Sequence, residues 1–198
     1  MCKFLFQDII TSPAFKSFFK MGKEFDQNFL FEIAFGFMPR QFKNTHEDRY
    51  MYEEELDVTE IYFILKGDWA IAFNSYYKLS DVQLTQSVTD EELKGPEDMY
   101  QQGQLIAQRR SSFGYIGDYY VLSSKRSQFH YVALSQVEAY ALTKQFLYNE
   151  IFVKFPGLHQ DMLSESFSRY IREFRQPCSR KRTDIITKLN MKLQYSQI

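Results

Sequence analysis

The sequence predicts a mainly β domain with helices on both sides of it. Between residues 60 and 142, apolar residues occur in runs of five or six that are separated by turn signals, which is typical of short antiparallel strands. Before and after this region the apolar residues recur every three or four positions, the period of an amphipathic helix. Short strands that bury one face without long exposed edges usually close into a roll, a sandwich or a barrel.

The composition fits one soluble domain with appendages. The chain has 198 residues, of which 44% are hydrophobic and 18% aromatic, so it can bury a sizeable core. A net charge of −1 gives no general case for nucleic acid or an anionic membrane as partner. No apolar run is long enough to span a bilayer. Cys2 and Cys178 lie in unrelated contexts without a metal-binding spacing, which favours a reduced, intracellular compartment.

The first forty residues are predicted to be helical. Apolar residues recur at helical spacing from Phe4 to Ile10, and Gly22 separates this segment from a second helix. The apolar face of the second helix comprises Phe25, Phe29, Leu30, Ile33 and Phe37. Pro39 is expected to end it, because proline lacks the N–H that a helix interior needs. We expect both segments to be packing elements rather than a site.

The strands follow directly. Residues 61–65 and 69–73 are two apolar runs joined by "KGD", which predicts a tight hairpin with Gly67 at a positive φ. The segments "LIAQRR", "FHYVAL" and "EAYAL" predict further strands. Between them, the polar and acidic stretch at about 79–103 contains Gly95 and Pro96 and predicts a long surface insertion.

The C-terminal part returns to helical spacing. One helix is predicted from residue 143 until Pro156, and a second over 158–174. The apolar positions of the second helix are Leu158, Met162, Phe167, Tyr170, Ile171 and Phe174. Pro177 is expected to close that helix. Residues 176–198 then form a basic tail with a short candidate helix at 185–193.

The stretch "IGDYYVLSSKRSQFHYVA" places a carboxylate and a guanidinium on the two sides of a short helix. Asp118 follows Gly117 and lies eight residues ahead of Arg126, with a helical turn predicted over 119–122. In a purely structural interpretation, Asp118 caps the helix and Arg126 is solvated. In a functional interpretation, the two charges bind a ligand at the mouth of the predicted sheet.

Four segments together resemble the cyclic nucleotide-binding domain, in the order that this domain has. They are "FLFEIAFGFMPRQF", "EIYFILKGDWAIAF", "FGYIGDYYVLSSKRSQFHYVALSQVEAYAL" and "FVKFP", and the resemblance covers roughly 25–175. It is closest to the cytosolic C-terminal region of cyclic-nucleotide-gated, hyperpolarisation-activated and ether-à-go-go-like channels, and the aromatic content is similar to that of ciliate channels. The leading "FQDIITSPAFKSFF" is similar to the last helices of the channel linker, which assigns 1–24 to a C-linker.

The resemblance implies a jelly-roll-like antiparallel β-roll, also described as a double-stranded β-helix, with a C-terminal lid helix. In that family a Gly-Glu pair starts a short helix whose N–H groups face a cyclic phosphate. The Glu binds the ribose hydroxyl, an Arg nine residues later pairs with the phosphate, and the lid closes over the purine. The implied ligand is cAMP or cGMP.

Carried onto this sequence, the resemblance implies eight ligand-binding residues: Gly117, Asp118, Tyr119, Tyr120, Arg126, Ser127, Gln128 and Arg169. Asp118, Ser127 and Gln128 depart from the family pattern, and Gln128 takes the place of the neighbouring Thr or Ser. Asp118 is one methylene shorter than the Glu it replaces, so its oxygens lie further from a ligand. Ser127 stands at the position of the phosphate-binding Arg, and Arg126 precedes it by one residue. A shift of one residue on a strand turns a side chain to the opposite face.

Two functional hypotheses therefore stay open. The first is a cytosolic regulatory domain of an ion channel, such as a potassium channel, that senses cAMP or cGMP and couples movement of its lid to gating. Its partners would be the pore and linker of the parent channel at the cytosolic face of a membrane, with a homotetramer in the full-length protein. The second is a degenerate domain that binds no nucleotide and acts as an assembly module.

Other functional classes have little support. A kinase regulatory subunit would be marked by a pseudosubstrate segment and a second copy of the domain, and we find neither in these residues. His46, His130 and His159 occur in different elements without a shared ligand spacing, and no nucleophile elbow, P-loop or dinucleotide motif occurs. We therefore expect neither an enzyme nor a metal site, and no nucleic-acid partner.

Overall fold

The computed structural model describes Phe15, Phe18 and residues 27–45, 48–74, 100–101, 104–111 and 114–195. Most of the C-linker-like segment at 1–24, and the acidic insertion up to residue 99, lie outside the described residues. Phe15 and Phe18 are both helical and buried. The ring of Phe18 packs edge-on against Phe63 and Tyr115, with centroids 5.1 and 5.0 Å apart. Part of the N-terminal segment therefore contributes to the core of the domain.

The helix predicted after Gly22, with its apolar face from Phe25 to Phe37, ends earlier than the sequence predicted. Helix α1 spans Gln27–Ala34, and the chain turns at Gly36, where the ring of Phe146 occupies the place of a side chain. Strand β1, Phe37–Phe42, contains Pro39, so the prediction that Pro39 ends a helix is wrong. Among the described strands, β1 pairs only with β9 and is an edge strand, and proline is tolerated at an edge because no neighbour needs its missing N–H.

The described strands form two antiparallel sheets, which confirms the predicted β-roll. The strands after β1 are β2 Tyr50–Tyr52, β3 Glu60–Lys66, β4 Asp68–Asn74, β5 Tyr100–Gln101, β6 Gln104–Ser111, β7 Gly114–Ile116, β8 His130–Ala133 and β9 Val137–Thr143. One sheet has the order β1-β9-β3-β7 and the other β2-β8-β4-β6-β5. Apart from β5 and β6, neighbouring strands in each sheet are not consecutive in the sequence, as in a jelly roll.

The turn at Gly67 does not form the predicted hairpin. Strands β3 and β4 are consecutive, but β3 pairs with β7 and β9 whereas β4 pairs with β6 and β8. The chain therefore crosses from one sheet to the other at this corner. Gly67 has a φ of 103° there, and a Cβ would meet the carbonyl oxygen of Gln136. The positive φ was predicted correctly, whereas the pairing depends on strands far along the chain.

The remaining helices follow β7 and β9. Helix α2, Asp118–Ser123, confirms the short helix predicted over 119–122. After β9 the chain forms α3, Lys144–Phe146, a π-helical turn, Leu147–Ile151, and α4, Phe152–Lys154. Helix α5, Pro156–Tyr170, begins with proline at its first position, where no N–H is needed.

The prediction that Pro177 closes the lid helix is wrong. A π-helical turn, Ile171–Arg175, follows α5, and helix α6 then runs over Gln176–Tyr195 with Pro177 at its second position. The predicted helix at 185–193 is therefore part of a longer helix and not a separate element of a tail. The local widening of a π turn relieves the clash that proline makes in a regular helix. Among the described residues, no helix is long and apolar enough to cross a bilayer.

Candidate functional site: a cassette closed by the lid

Helix α2 and the glycine before it, Gly117, are called the cassette here. The cassette begins at a position where a side chain cannot fit. Gly117 precedes α2 with a φ of 88°. A Cβ at this position would collide with the hydroxyl of Tyr52 and lie 2.9 Å from the carbonyl oxygen of Glu60. The Tyr52 hydroxyl donates to that carbonyl at 2.8 Å and lies 3.0 Å from the carbonyl oxygen of Ile116. Strands β2, β3 and β7 therefore meet at the start of α2.

Asp118 is paired with a residue of the lid helix. Its Oδ1 lies 2.5 Å from Nη2 of Arg169 in α5, and both side chains are buried. The same Nη2 donates to the carbonyl of Tyr115 at 3.1 Å, and the guanidinium lies over the Tyr115 ring, 3.8 Å from its centroid. Nη1 of Arg169 is 3.6 Å from the carboxylate of Glu173 one turn later. Arg169 thus joins α5 to both the cassette and β7.

Asp118 and Arg169 each shift the pKa of the other. Burial raises the pKa of the Asp118 carboxyl, and the Arg169 guanidinium opposes that rise. Burial lowers the pKa of Arg169, but the combined effects of Asp118, Tyr115 and Glu173 outweigh burial and the pKa is raised. Asp118 Oδ2 is buried and has no hydrogen-bond partner of good geometry among the described residues. One carboxylate oxygen is therefore held by the lid and the other remains an acceptor.

A layer of tyrosines completes the contact between lid and cassette. The rings of Tyr119 in α2 and Tyr170 in α5 are stacked, with centroids 4.3 Å apart and planes at 14°. The Tyr120 hydroxyl donates to that of Tyr170 at 3.1 Å, and Tyr170 donates to Oε1 of Gln128 at 2.6 Å. The N–H of Gln128 donates back to the Tyr120 hydroxyl at 3.2 Å. These bonds form a closed ring between the lid, α2 and the loop before β8.

The structure does not bring Arg126 next to Asp118. Arg126 forms an isolated β-bridge with Asp57, and its Nε lies 3.3 Å from the Asp57 carboxylate at the surface. The two side chains are 71% and 78% exposed. Ser127 is buried, and its hydroxyl donates to the carbonyl of Phe129 at 2.6 Å. The bridge gives 126 and 127 strand-like alternation, so Arg126 faces solvent and Ser127 faces inward.

Comparison with solved structures identifies the architecture. A cyclic nucleotide-binding domain from Methylobacillus flagellatus KT superposes with a TM-score of 0.59 at 13% identity, over 90% of this chain and 83% of that one. The chain has the cyclic nucleotide-binding fold. No family model matches the sequence, and no curated protein does.

Two further structures with the cyclic nucleotide-binding fold come from larger proteins. The C-linker and CNBHD of zELK channels, crystallised in the presence of cAMP, has a TM-score of 0.52 at 11% identity and covers 81% of this chain. A mutant regulatory subunit of a cAMP-independent protein kinase A from Trypanosoma brucei, bound to cAMP, has a TM-score of 0.51 at 9% identity and covers 85%. The chain spans 62% of the first and 48% of the second.

Within this cyclic nucleotide-binding fold, most of the predicted site residues meet at the cassette. Gly117, Asp118, Tyr119, Tyr120, Gln128 and Arg169 lie together, Ser127 is buried beside them, and Arg126 lies outside. Sequence reasoning missed Tyr52, Tyr115 and Tyr170. Tyr170 had a usable signal, since it follows Arg169 on the lid helix. Tyr52 and Tyr115 had none, because their roles depend on sheet pairing. In the part of the chain that the structure describes, no group of side chains could hold a metal ion.

Proposed function

We propose that this chain is a regulatory domain. A ligand binds at the cassette around α2, and its binding changes the position of the lid, which comprises α5 and α6. The buried pair of Asp118 and Arg169 carries this proposal, because it joins the two parts directly. A two-state lid responds to a ligand only through the difference in the ligand's affinity for the docked and undocked states. The pair makes the docked lid sensitive to whatever binds at Asp118.

The proposed ligand class is a cyclic nucleotide, cAMP or cGMP. Oδ2 of Asp118 is a buried acceptor that a ligand hydroxyl could satisfy while Oδ1 stays bound to Arg169. Arg126 is the proposed cation for the cyclic phosphate. It would have to leave Asp57, but an exposed ion pair contributes only about 0–1 kcal/mol, so its release costs little. The fold shared with cyclic nucleotide-binding domains supports this choice.

The proposed setting is the cytosolic face of a membrane, as part of an ion channel. The similarity of 1–24 to a channel linker supports it, and so does the packing of Phe18 against Tyr115, the residue on which Arg169 rests. Movement of the lid would reach the N-terminal segment through these contacts, and from there the pore of a homotetramer. In this role the domain regulates and does not catalyse.

Calorimetric titration with cAMP and with cGMP tests the ligand. We expect saturable binding, and a rise in melting temperature that follows the free-ligand concentration. Asp118→Ala and Arg126→Ala should each weaken binding at least tenfold, since each removes a charged contact. Matched controls are Asp161→Ala and Arg172→Ala, which change exposed charges on α5 and its π turn and should leave the affinity unchanged.

A second candidate function is a module that binds no nucleotide. Ser127 at the family's arginine position and the ring of hydrogen bonds through Tyr120, Tyr170 and Gln128 favour it, because the protein's own side chains then take the place of a ligand. Absence of heat and of a melting shift at millimolar cAMP and cGMP would reject nucleotide sensing and leave this candidate.

A further inference from the structure

The lid is interrupted where α5 passes into α6. The π-helical turn Ile171–Arg175 lies between them, and Pro177 follows it. In a regular helix the N–H of residue 177 would donate to the carbonyl of Glu173, four residues earlier. Proline has no N–H, so this backbone bond cannot form. The helical ladder of the lid therefore lacks one backbone hydrogen bond at this junction.

Two side chains of β6 reach this carbonyl: the amide N–H of Gln108 donates to it at 3.2 Å, and the amide oxygen of Gln108 accepts from Nη2 of Arg110 at 2.7 Å. Nη2 of Arg110, in strand β6, donates to the carbonyl oxygen of Glu173 at 3.3 Å. The Arg110 guanidinium also lies 5.8 Å from the centroid of the buried Phe174 ring. Arg110 thus contacts two consecutive residues of the π turn, one by a hydrogen bond and the other by its charge over an aromatic face.

The anchored turn is connected to the pair that closes the cassette. Glu173 lies one turn after Arg169, with its carboxylate 3.6 Å from Nη1. The guanidinium of Arg169 is 5.0 Å from the Phe174 ring centroid, and that ring also packs against Tyr131 of β8. Displacement of the turn would therefore move Arg169 away from Asp118.

We infer that Arg110 is a positioning residue that replaces the hydrogen bond missing at Pro177 and so holds the lid over the cassette. The inference depends on the proposed function only in taking α5 and α6 as the regulated element. It requires that the contribution of Arg110 depend on the proline: a donor from the backbone at position 177 should make the arginine largely dispensable.

A double-mutant cycle measured by hydrogen exchange tests this dependence without any nucleotide. We expect Arg110→Ala to raise the exchange rate of α5 amides about tenfold, since it removes a donor from a partly buried carbonyl. In a Pro177→Ala background, where the restored backbone N–H can donate to the Glu173 carbonyl, the same change should raise the rate less than about threefold. Pro177→Ala alone restores a regular helical residue and should fold at least as well as the wild type.

Arg109→Ala is the matched control, because Arg109 is the preceding residue of β6 and its exposed side chain points to the other face. It should change α5 exchange less than about twofold in both backgrounds. Equal effects of Arg110→Ala with and without Pro177 would overturn the inference. If Arg110→Ala does not fold, Arg110→Met gives the same comparison, because it keeps an unbranched side chain and removes the donor. Equal effects in the two backgrounds would leave the proposed function untouched, since its own test is nucleotide binding.

Discussion

Gly117 shows how one missing side chain allows the cassette to form. Its φ of 88° is in the left-handed region, which costs a residue with a Cβ roughly 1–2 kcal/mol. The hydroxyl of Tyr52 then occupies the space of the absent side chain and lies within hydrogen-bond distance of the carbonyl oxygens of Glu60 and Ile116. The glycine therefore serves both the turn into α2 and the contact with β2.

Gly117→Ala should destabilise the domain by about 2–4 kcal/mol, because strain and a steric clash with Tyr52 act together. Gly114→Ala is the matched control: it lies three residues earlier, and a Cβ there would meet nothing within 4 Å. We expect the control to change stability by less than about 1 kcal/mol. Urea unfolding of the three proteins measures the difference, and equal midpoints for the two variants would contradict this account.

Asp118 illustrates how a short side chain can be matched by a long one. The family has Glu at this position, and the sequence suggested that Asp would fall short of a ligand. In the structure the guanidinium of Arg169 reaches the carboxylate from the lid. The replacement of Glu by Asp118 is therefore accompanied by an ion pair with Arg169, whose long side chain spans the distance.

At the scale of elements, the lid is held by a charge pair inside an aromatic layer. Asp118 and Arg169 are both buried, which strengthens the attraction between the charges and also raises the cost of burying them. A buried pair of this kind adds little stability compared with an apolar pair, but loss of one partner leaves an unpaired buried charge. The pair consequently specifies where α5 docks.

Asp118→Asn and Arg169→Gln should each lower the free energy of unfolding by about 3–5 kcal/mol. The double variant should lose clearly less than the sum of the two, because neither charge is then left unpaired. Arg172→Gln, which removes an exposed charge that pairs only with its neighbour Glu173, should change stability by less than about 0.5 kcal/mol. Denaturant unfolding of all four variants measures these values, and additive losses would refute the coupling.

At the scale of the whole molecule, strand order determines which elements support the site. The two sheets place β2, β3 and β7 around Gly117 although they are separated by many residues in the sequence. Phe15 and Phe18 insert the N-terminal segment into the same core. Opening of the roll therefore disturbs the cassette and the N-terminal segment together, as expected of one cooperative domain.

The stability of the whole domain should fall on mild acidification because of His130. Burial, together with the positive charge of Arg49, lowers the pKa of His130 to about 4. In the unfolded chain the pKa is about 6.5, so between these values the unfolded state binds more protons. The stability from this group is present above about pH 6.5 and is lost as the pH falls towards 4, by about 2–3 kcal/mol in total.

His130→Gln measures this contribution, since the amide retains an acceptor for the N–H of Glu54, which now donates to Nδ1 at 3.2 Å. Unfolding free energies of both proteins are compared at pH 7 and 4.5. Other carboxylates titrate in both proteins alike, so the wild type should lose more than the variant. The same loss in both would show that His130 does not set the acid sensitivity.

Much of the fold could be predicted because it depends on local patterns. The helix at 119–122, the strands over 104–111, 130–133 and 137–143, and the positive φ of Gly67 all follow from spacing and residue type. The predicted site residues Gly117, Asp118, Tyr119, Tyr120 and Gln128 are also close in sequence, so the family pattern predicted them as one group. Each of these features is decided within a few residues, and neighbours in the sequence suffice to determine it.

The tertiary structure alone decided the pairings. Whether β3 joins β4 or crosses to another sheet depends on partners far along the chain, namely β9 and β7. The partner of Asp118 was decided in the same way: the sequence offered Arg126 nearby, and the fold supplied Arg169 from the lid. The reason is that burial, and not sequence distance, determines which charge must be neutralised, and burial exists only once the sheets have closed.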